Sequence, residues 1–458
     1  MNNHDMSGLV AGLRSTFNAG RTRPLSWRRE QLSRLRAMIV ELEGELFAAL
    51  EEDLGKPGFE SWLGETGFVT SEIDYAVKRV GFWMKPRWVR TSMLNQPGSS
   101  YVHPEPLGVA LIIGAWNYPF LISILPLVGA IAAGNCAVVK PSEVSANTSA
   151  VIARGVRDYL DGDAIRVVEG GVPETTALLK EQFDHIFYTG GGIVGRIVME
   201  AAARNLTPVT LELGGKSPCL VDRGVDLKVA ARRIAWGRFL NAGQTCVSPD
   251  YVLAHEEIEE ELLDHLKSAV RRFYGADPRQ SPDYARIINE MHFGRLEALL
   301  GSGEVVTGGQ TDASDLYIAP TILRNVVPDS PVMAEEIFGP ILPVLAVPGI
   351  EAAISFVNAR PRPLALYLFS SDEGTKKRII ERTSSGSVCI NDVVVHLLEP
   401  ELPFGGVGHS GMGEYTGRAS FETFSHRKSV LKKSLRFDVP LRYPPYNNSK
   451  LKWLKRLV

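Results

Sequence analysis

Apolar residues in the N-terminal part of the chain recur at the spacing of amphipathic helices. Between residues 26 and 50 they stand mostly three or four positions apart, at Leu32, Leu35, Met38, Ile39, Leu42, Leu46 and Leu50. The turn-forming Gly55-Lys56-Pro57 interrupts this pattern, which resumes between Glu72 and Trp88. We therefore predict helices that pack around a core, and we expect this segment to contribute packing rather than chemistry.

From residue 104 onward, short β-branched and apolar runs alternate with segments of helix length. The runs that predict strands are residues 107–113, 136–139, 165–168, 185–188 and 209–211. The intervening segments that predict helices include residues 120–133 and 144–159. This alternation is typical of a doubly wound, mostly parallel sheet, in which ligands bind beyond the carboxyl ends of the strands. Residues 106–139 carry no charge, but their glycines, prolines and asparagines favour a buried strand, loop and helix over a membrane span.

A second α/β pattern begins near Gly214 and extends to Leu402. Its predicted helices cover residues 227–240 and 258–273, and residues 388–390 and 393–395 are predicted strands. The sequence shows no long linker, repeat or low-complexity segment between the two halves. We therefore predict an α/β fold whose halves share a tight interface, with an active site in the cleft between them.

The composition argues against several classes of function. The 458 residues are 45% hydrophobic and 22% charged, as in folded soluble proteins, and the formal net charge of −2 gives no reason to expect a nucleic-acid partner. The cysteines lie far apart without Cys-x-x-Cys pairs, which argues against a metal site or a disulfide framework and favours a reducing cytoplasm. The N-terminus lacks the apolar core of a signal peptide.

Cys246 and Glu212 carry the most chemical information in the sequence. Cys246 ends the segment NAGQTC, and Glu212 lies in the upstream segment LELGG. A thiol with a carboxylate folded back near it suits nucleophilic catalysis followed by a general-base step. A free cysteine more often packs as a small hydrophobic residue, which is our interpretation of Cys136, Cys219 and Cys389. The local sequence alone leaves both interpretations open for Cys246.

Three loops after predicted strands carry groups suited to a ligand. Asn117 supplies a side-chain amide after the first strand. Lys140 and Glu143 follow the next strand, as a cation and a carboxylate suited to phosphate or ribose hydroxyls. The glycines between Gly190 and Gly195 open a helix, whose free N–H groups favour a phosphate.

The last of these loops also matches the dinucleotide fingerprint G-x-G-x-x-G, through Gly190, Gly192 and Gly195. Taken alone, the fingerprint would make the downstream Glu212 a ribose ligand. The segment comes late in the strand–helix series, whereas the fingerprint normally opens it, and Glu143 is available for the ribose. We therefore expect Glu212 to be free for chemistry.

Segments in a fixed order along residues 114–413 carry a resemblance to the aldehyde dehydrogenase superfamily. They are GAWNYPF at Gly114, VVKPSE at Val138, FYTGG at Phe187, LELGGKSP at Leu211, NAGQTCVSPDY at Asn241, EEIFGP at Glu335 and LPFGGVGHSGMG at Leu402. The short N-terminus and the form of several segments are similar to the class 3 branch, which includes the dimeric fatty and aromatic aldehyde dehydrogenases. The resemblance implies NAD- or NADP-dependent oxidation of medium- or long-chain aliphatic or aromatic aldehydes to acids, through a thioester, by a homodimer.

The resemblance also implies a domain organisation. The fold would be aldehyde dehydrogenase-like, with two doubly wound α/β domains and a small oligomerisation segment. Residues 1–210 would form the cofactor-binding domain and residues 211–402 the catalytic domain. Residues 403–445 would return to the cofactor domain and supply the oligomerisation segment, and residues 446–458 would form a basic amphipathic tail.

The catalytic roles carried over from the family fall on three residues. Cys246 would be the nucleophile, and the Asn117 side-chain amide and the Cys246 backbone N–H would hold the oxyanion. Glu212 would activate the water that hydrolyses the thioester.

The family's cofactor contacts fall on a second set of residues. Lys140 and Glu143 would contact the adenosine ribose, Glu336 the nicotinamide ribose and Phe338 the nicotinamide ring. The helix that opens with Gly190, Gly191 and Gly195 would lie beside the pyrophosphate. Gly191 replaces the usual serine and removes a hydroxyl from this site. Glu143 favours NAD over NADP because a carboxylate disfavours a 2′-phosphate, although class 3 relatives often accept both.

Other functions and locations remain open at the level of sequence. Cys246 and Glu212 would also suit a thiol-dependent esterase or acyl hydrolase, a CoA-acylating enzyme is a further alternative, and a binding protein without catalysis is a third. The tail from Lys450 to Val458 alternates cationic and apolar residues around a tryptophan, which suits peripheral membrane contact or a subunit contact. It is too short to span a bilayer. We expect a cytoplasmic protein with membrane contact through this tail as an option.

Overall fold

The computed structural model describes residues 6–457, so residues 1–5 and Val458 of the tail lie outside it. The helices are α1 (Met6–Asn18), α2 (Leu25–Glu41), α3 (Glu43–Leu54), α4 (Gly58–Ser61), α5 (Gly67–Trp83), α6 (Pro119–Ala133), α7 (Ala146–Tyr159), α8 (Val172–Leu178), α9 (Gly192–Ala203), α10 (Leu227–Phe239), α11 (Glu259–Tyr274), α12 (Glu290–Glu297), α13 (Pro331–Ala334), α14 (Ile350–Asn358), α15 (Glu373–Arg382), α16 (Gly417–Thr423) and α17 (Asn448–Leu457).

The strands form four sheets. They are β1 (Arg87–Val89), β2 (Gly98–Pro106), β3 (Val109–Ile113), β4 (Cys136–Lys140), β5 (Ile165–Val167), β6 (His185–Gly190), β7 (Val209–Leu213), β8 (Pro218–Val221), β9 (Tyr251–His255), β10 (Glu304–Thr307), β11 (Thr311–Asp312), β12 (Tyr317–Ile318), β13 (Thr321–Arg324), β14 (Ile341–Val347), β15 (Ala365–Phe369), β16 (Ser387–Ile390), β17 (Gly411–Met412) and β18 (Ser425–Lys433).

The first large sheet has the order β17-β7-β6-β3-β4-β5. Strands β3 to β7 are mutually parallel, and β17 pairs antiparallel with β7. Every residue of β3 and β4 is buried, as expected where helices cover both faces of a parallel sheet. From β3 the chain first builds outward through β4 and β5 and then returns to β6 on the other side. This reversal creates a switch point between β3 and β6, where ligands bind in folds of this kind.

The second large sheet has the order β10-β13-β14-β9-β8-β15-β16, with only its edge strand β10 antiparallel. It begins directly after β7, because β8 starts five residues after β7 ends and belongs to the other sheet. The loop between β7 and β8 therefore joins the two sheets. Side chains near this loop are positioned by both halves of the protein.

The remaining elements flank these two layers. Helices α2 and α5 pack on each other and on α6, and together they extend the core of the first sheet. Strands β1, β2 and β18 form a separate antiparallel sheet with the order β1-β2-β18. Strand β18 pairs with β2 over its whole length and is largely exposed.

The alternation of strands and helices predicted from residue 104 onward is confirmed, with boundaries that differ by a few residues. The uncharged segment 106–139 is the buried unit made of β3, α6 and β4. Within residues 6–457, no helix combines the length and the apolar character that a membrane crossing requires.

The strand predicted at residues 393–395 is wrong. The three consecutive valines favour a strand by propensity, but Val394 has a positive φ of 65° and a 3-10 helix (Val395–Leu398) begins directly after it. Val394 and Val395 line a cavity. Packing against this cavity has overridden the local β preference.

Candidate active site

Cys246 follows a turn of unusual backbone conformation. Asn241, Ala242 and Gly243 have φ values of 53°, 50° and 74°, so three consecutive residues (241–243, the left-handed turn) lie in the left-handed region. This conformation costs a residue with a side chain roughly 1–2 kcal/mol. A side chain at Gly243 would collide with the carbonyl oxygen of Gly339. The turn must therefore be held by its surroundings.

Hydrogen bonds from side chains hold this turn. The Asn241 backbone N–H donates to Glu60 Oε2 at 2.8 Å. The Asn241 side-chain amide donates to the carbonyl oxygens of Asn117 at 2.9 Å and of Gln244 at 3.1 Å. Gln244 Nε2 donates to the Asn241 carbonyl oxygen at 3.0 Å and to that of Arg286 at 2.9 Å. The backbone N–H and carbonyl oxygen of Asn241 are thus both hydrogen-bonded to buried side chains.

A buried ion pair supports the same loop. Lys56 Nζ lies 2.6 Å from Glu65 Oε1, with both side chains fully buried, and it also donates to the Asn117 carbonyl oxygen at 2.9 Å. Glu65 Oε2 in turn accepts from the Leu121 N–H at 2.8 Å. Residues 26–89 thus add buried charged contacts to the packing that we expect from them. The one local signal was a lysine between Gly55 and Pro57, which places a cation at a turn beside the core.

An apolar cavity of about 870 Å³, including its open mouth, reaches Cys246. We call it the Cys246 cavity. Its wall combines side chains from the α4–α5 region, α6, α10 and the segment after β16, and it includes Leu63, Phe68, Leu121, Ile122, Leu125, Trp236, Leu240, Val394, Val395, Leu397, Leu398, Phe404 and Tyr415. The polar groups on this wall include Glu60, Glu212, Thr245 and Thr416. The sequence pair Cys246 and Glu212 is thus brought together on one wall.

Glu212 lies on β7, where it pairs with Gly411 of β17, and it is almost fully buried. Its Oε1 has no hydrogen-bond partner among the described residues. Burial raises the pKa of Glu212 to about 8. A carboxyl group with this pKa can take up or release a proton near neutral pH, which an ordinary surface glutamate cannot do.

Burial raises the pKa of the Cys246 thiol well above its usual range, and the nearby carboxylates of Glu212 and Glu336 raise it further. Backbone N–H groups of Cys246 and Val247 act in the opposite direction. Because only the thiolate is a strong nucleophile, this thiol needs a nearby base or a nearby positive charge. Glu212 is a base on the same cavity wall.

Asn117 lies against the loop that carries Cys246. Its side-chain nitrogen donates to the Gln244 carbonyl oxygen at 3.1 Å, and the residue is only 3% exposed. It is not part of the wall of the Cys246 cavity in the described chain. An amide nitrogen has two protons, and one of those on Asn117 serves the loop.

Lys140 and Glu143 lie together where β4 ends. Lys140 Nζ is 3.0 Å from Glu143 Oε2 and donates to the Pro141 carbonyl oxygen at 2.8 Å. The Lys140 side chain is buried, whereas the Glu143 side chain is 46% exposed. A buried cation beside an accessible carboxylate matches the hydroxyl and phosphate groups of a nucleotide.

The glycines at the start of α9 lie at the switch point beside β3. Gly191 caps α9 without a side-chain hydrogen bond, and a side chain at Gly191 or Gly192 would meet open space. Gly195 packs against Leu213, where an added side chain would be crowded. Free N–H groups at the start of a helix in an open position suit an anion, so this cradle fits a pyrophosphate.

Glu336 and Phe338 approach from the second half of the chain. A side chain at Gly214 would collide with the Glu336 carboxyl group, so a glycine is required for this close approach. Burial raises the pKa of Glu336 well above its usual range. Phe338 has a positive φ of 50°, and its ring meets Trp116 edge-on with 5.3 Å between centroids. The two residues thus face the β7–β8 loop and the loop after β3.

Asp250 ties the loops of Cys246 and Glu336 together. Its carboxylate accepts from Lys216 Nζ at 2.6 Å, from Arg238 Nη1 at 3.2 Å and from the Ile337 N–H at 3.1 Å. Arg238 also donates to the Gly339 carbonyl oxygen, the atom that confines Gly243. We did not predict this network, although Asp250 and Lys216 stand inside the quoted segments NAGQTCVSPDY and LELGGKSP. Nothing local in those segments shows which charges pair.

Together, the fold and the site define a class of protein. A thiol and an unpartnered carboxyl share one apolar cavity. Groups suited to a nucleotide, namely Lys140, Glu143 and the open start of α9, lie at the carboxyl ends of the strands of the neighbouring sheet. This is the arrangement of an enzyme that combines thiol chemistry with a dinucleotide cofactor. Within the described residues, no cluster of histidine, cysteine, aspartate or glutamate is suited to a metal ion.

Comparisons with known proteins agree with this arrangement. The aldehyde dehydrogenase family model matches residues 1–430. The mouse protein "aldehyde dehydrogenase family 3 member A2" is 51% identical over 98% of this chain and 93% of its own length. The rat protein "aldehyde dehydrogenase, dimeric NADP-preferring" is 52% identical over 96% of this chain and 98% of its own length. A substrate-bound Staphylococcus aureus AldH structure superposes with a TM-score of 0.96 at 46% identity, covering 98% of this chain and 99% of that one.

The chain therefore belongs to the aldehyde dehydrogenase family, in its class 3 branch. It is an NAD(P)-dependent enzyme that oxidises aldehydes. The resemblance noted in the sequence is confirmed.

We predict that Asp250→Asn lowers the thermal stability of the protein strongly. The substitution leaves Arg238 and Lys216 buried without their counter-charge, and breaking a buried ion pair from one side costs about 3–5 kcal/mol. The measurement is the unfolding temperature from circular dichroism. Asp158→Asn is the matched control, since Asp158 pairs with Arg157 on the surface, where such pairs contribute about 0–1 kcal/mol. Equal unfolding temperatures for the two variants would contradict the role of Asp250.

Proposed function

We propose that the protein oxidises medium- or long-chain aliphatic or aromatic aldehydes to carboxylic acids through a thioester on Cys246. One observation carries the proposal: Cys246 shares an apolar cavity with Glu212, a buried carboxyl that has an unpartnered oxygen and a pKa near 8. The volume and apolar wall of this cavity favour an aliphatic or aromatic substrate over a small polar one.

In the first step, Cys246 loses its proton and its sulfur forms a bond to the aldehyde carbon. The resulting oxyanion accepts hydrogen bonds from the second amide proton of Asn117 and from the Cys246 backbone N–H. Removing one such donor typically costs about 3 kcal/mol of transition-state stabilisation. Glu212 is available to receive the thiol proton.

When bound, the nicotinamide cofactor supplies the acceptor for the hydride that leaves the former aldehyde carbon. Cys246 then carries an acyl group as a thioester. After releasing the thiol proton to solvent, Glu212 takes a proton from water as the water oxygen bonds to the acyl carbon. The carbon–sulfur bond breaks, and Glu212 returns this proton to the departing sulfur. The products are the carboxylic acid and the restored Cys246.

We assign the cofactor contacts to the cradle described above. Lys140 and Glu143 hold the adenosine ribose, and the N–H groups from Gly190 to Gly195, with Gly191 at the helix cap, hold the pyrophosphate. Glu336 holds the nicotinamide ribose, and Phe338 packs against the nicotinamide ring. Glu143 favours NAD, whereas the rat relative is described as NADP-preferring, so NADP is the alternative cofactor.

We also propose a cytoplasmic homodimer. The exposed edge of β18 leaves backbone groups available to a second copy, and the rat relative is described as dimeric. In this proposal residues 1–210 bind the cofactor, residues 211–402 carry the chemistry, and residues 403–445 return to the cofactor domain and supply the subunit contact.

We predict that purified protein forms NAD(P)H when given decanal or benzaldehyde, and that Cys246→Ala abolishes this turnover. Cys389→Ala is the control, because Cys389 is a thiol in β16 for which we propose no role in the chemistry. A Cys246→Ala variant that still turns over would remove the central claim. Ester hydrolysis without NAD(P)H formation would favour the thiol esterase instead.

Glu212→Gln should separate the two halves of the reaction. We expect a single-turnover burst of NAD(P)H, followed by steady-state turnover reduced by roughly 10²-fold or more, since general-base catalysis contributes about 10²–10⁴-fold. In the unmodified enzyme, the steady-state rate should rise as pH increases up to about 8, because Glu212 must be deprotonated to act as the base. Stopped-flow absorbance gives both rates. An unchanged steady state would require a different base.

We propose peripheral membrane contact through α17. This helix exposes Leu451 and Trp453 and carries Lys452, Lys455 and Arg456, the combination that lies in membrane interfaces. We predict that the full chain sediments with vesicles of phosphatidylcholine and phosphatidylserine more than a chain truncated before Lys450 does, and less so at high salt. Equal sedimentation of both chains would contradict the proposal.

A further inference from the structure

We propose that Glu60 is a positioning residue for Cys246: its carboxylate holds the left-handed turn that presents the thiol to the Cys246 cavity. This inference rests on the proposed role of Cys246 as the nucleophile. Glu60 forms a hydrogen bond to the turn. It forms none to the Cys246 sulfur in the described chain. Its effect on the reaction would therefore pass through the backbone of residues 241–243.

The hydrogen bond between Asn241 and Glu60 satisfies a buried backbone donor of the turn. Asn241 is the first left-handed residue and is fully buried, so its backbone N–H has no access to water. Glu60 Oε2 accepts this N–H at 2.8 Å. Within residues 6–457, this N–H has no other acceptor. Without Glu60, a buried donor would be left unsatisfied, and the turn could relax toward an ordinary backbone conformation.

The scaffold behind Glu60 is rigid. Glu60 lies on α4 directly before the π-helix (Trp62–Thr66), which carries Glu65 of the buried pair with Lys56. Two of the three acceptors of Asn241, Glu60 Oε2 and the Asn117 carbonyl oxygen, are thus fixed by this region. Glu60 therefore connects the N-terminal helices to the loop that carries Cys246.

Glu60 also lines the Cys246 cavity, so its protonation state is set by a mostly apolar surrounding. Burial raises its pKa to about 7, while the hydrogen bond from Asn241 and the charge of Lys56 lower it and Asp283 raises it. Tyr118 and Tyr274 are the other titratable groups that interact with it. A carboxylate accepts an N–H more strongly than a carboxylic acid does, so the hold on the turn weakens as pH falls below about 7.

Two substitutions separate the role of Glu60 in holding the turn from its contribution to the polarity of the Cys246 cavity. Glu60→Gln keeps an oxygen acceptor for Asn241 but removes the charge and the titration. Glu60→Leu removes the acceptor and makes the cavity more apolar, which leaves binding of an apolar aldehyde intact. Glu401→Gln is the matched control, because Glu401 is an exposed carboxylate that contacts Tyr75 and lies outside the proposed machinery.

The experiment uses the full chain and two measurements. The first is the rate at which iodoacetamide alkylates Cys246 in the cofactor-free protein, assigned by mass spectrometry, from about pH 6 to about pH 9. The second is kcat and KM for decanal over the same range. Alkylation reports on the thiol without the cofactor or Glu212-dependent hydrolysis. The rate comparison reports on the complete reaction.

We expect Glu60→Leu to lower both the alkylation rate and kcat by about tenfold or more, with KM changed by less than about twofold. Glu60→Gln should stay within about threefold of the unmodified enzyme. The ratio of unmodified to Glu60→Gln rates should fall as pH drops through about 7, because the native carboxylate is then protonated. Glu401→Gln should match the unmodified enzyme at every pH.

Two results would overturn the inference. One is a Glu60→Leu variant with unchanged alkylation and kcat, and the other is a pH-independent ratio between the unmodified enzyme and Glu60→Gln. If Glu60→Leu fails to fold, the pH dependence of the Glu60→Gln ratio decides alone. The Cys246→Ala variant tests the proposed function separately from this inference. Retained turnover in Cys246→Ala would contradict the proposed function. Loss of turnover in Cys246→Ala, together with unchanged Glu60 variants, would contradict only the role of Glu60.

Discussion

The loop that carries Cys246 depends on a turn that its own backbone disfavours. Asn241 and Ala242 would each cost roughly 1–2 kcal/mol in the left-handed conformation of an isolated peptide. Buried charged and polar groups hold residues 241–243 in this conformation. Lys56 and Glu60 act from the N-terminal side through Asn117 and Asn241. Arg238 and Asp250 act from the other side through Gly339 and Ile337. The position of the thiol is thus an outcome of contacts between segments that lie 61 to 181 residues apart, and strain of this kind is typical of functional sites.

The same two networks determine the electrostatics of the cavity. By pairing their own charges, Lys56 with Glu65 and Asp250 with Lys216 and Arg238, they leave no cation beside Cys246 among the groups that shift its pKa. Glu212 consequently has no counter-charge, and its burial, which raises its pKa to about 8, keeps it mostly protonated near neutral pH. A thiol and a carboxyl that are both neutral at rest avoid the cost of two buried charges.

Sequence patterns predict most of the fold and the main groups of the site, but not the way these groups are held. Strands β3 and β4 were predictable because continuous apolar runs indicate burial on both faces. Cys246, Glu212 and the glycines at Gly190 and Gly191 were found because each stands in a segment with a local chemical signature. Glu60 and Lys56 were missed, since they sit in a helical pattern and their partners are distant along the chain. Val394 was misassigned for the related reason that cavity packing, not propensity, decides its conformation.

A raised pKa by itself does not identify a base in this protein. Glu72 has its pKa raised by burial to about 7, yet its Oε2 accepts the Gly417 N–H at 2.9 Å and it lies outside the cavity wall of the described chain. Glu212 differs by its free oxygen and its place beside Cys246. Both carboxyls bind protons more tightly when folded than when unfolded, so between about pH 4.5 and about 7 to 8 the native state loses stability as pH rises. For Glu72 the hydrogen bond to the backbone offsets part of this loss. Glu212 has no such compensation, which supports the general-base role that we propose for it.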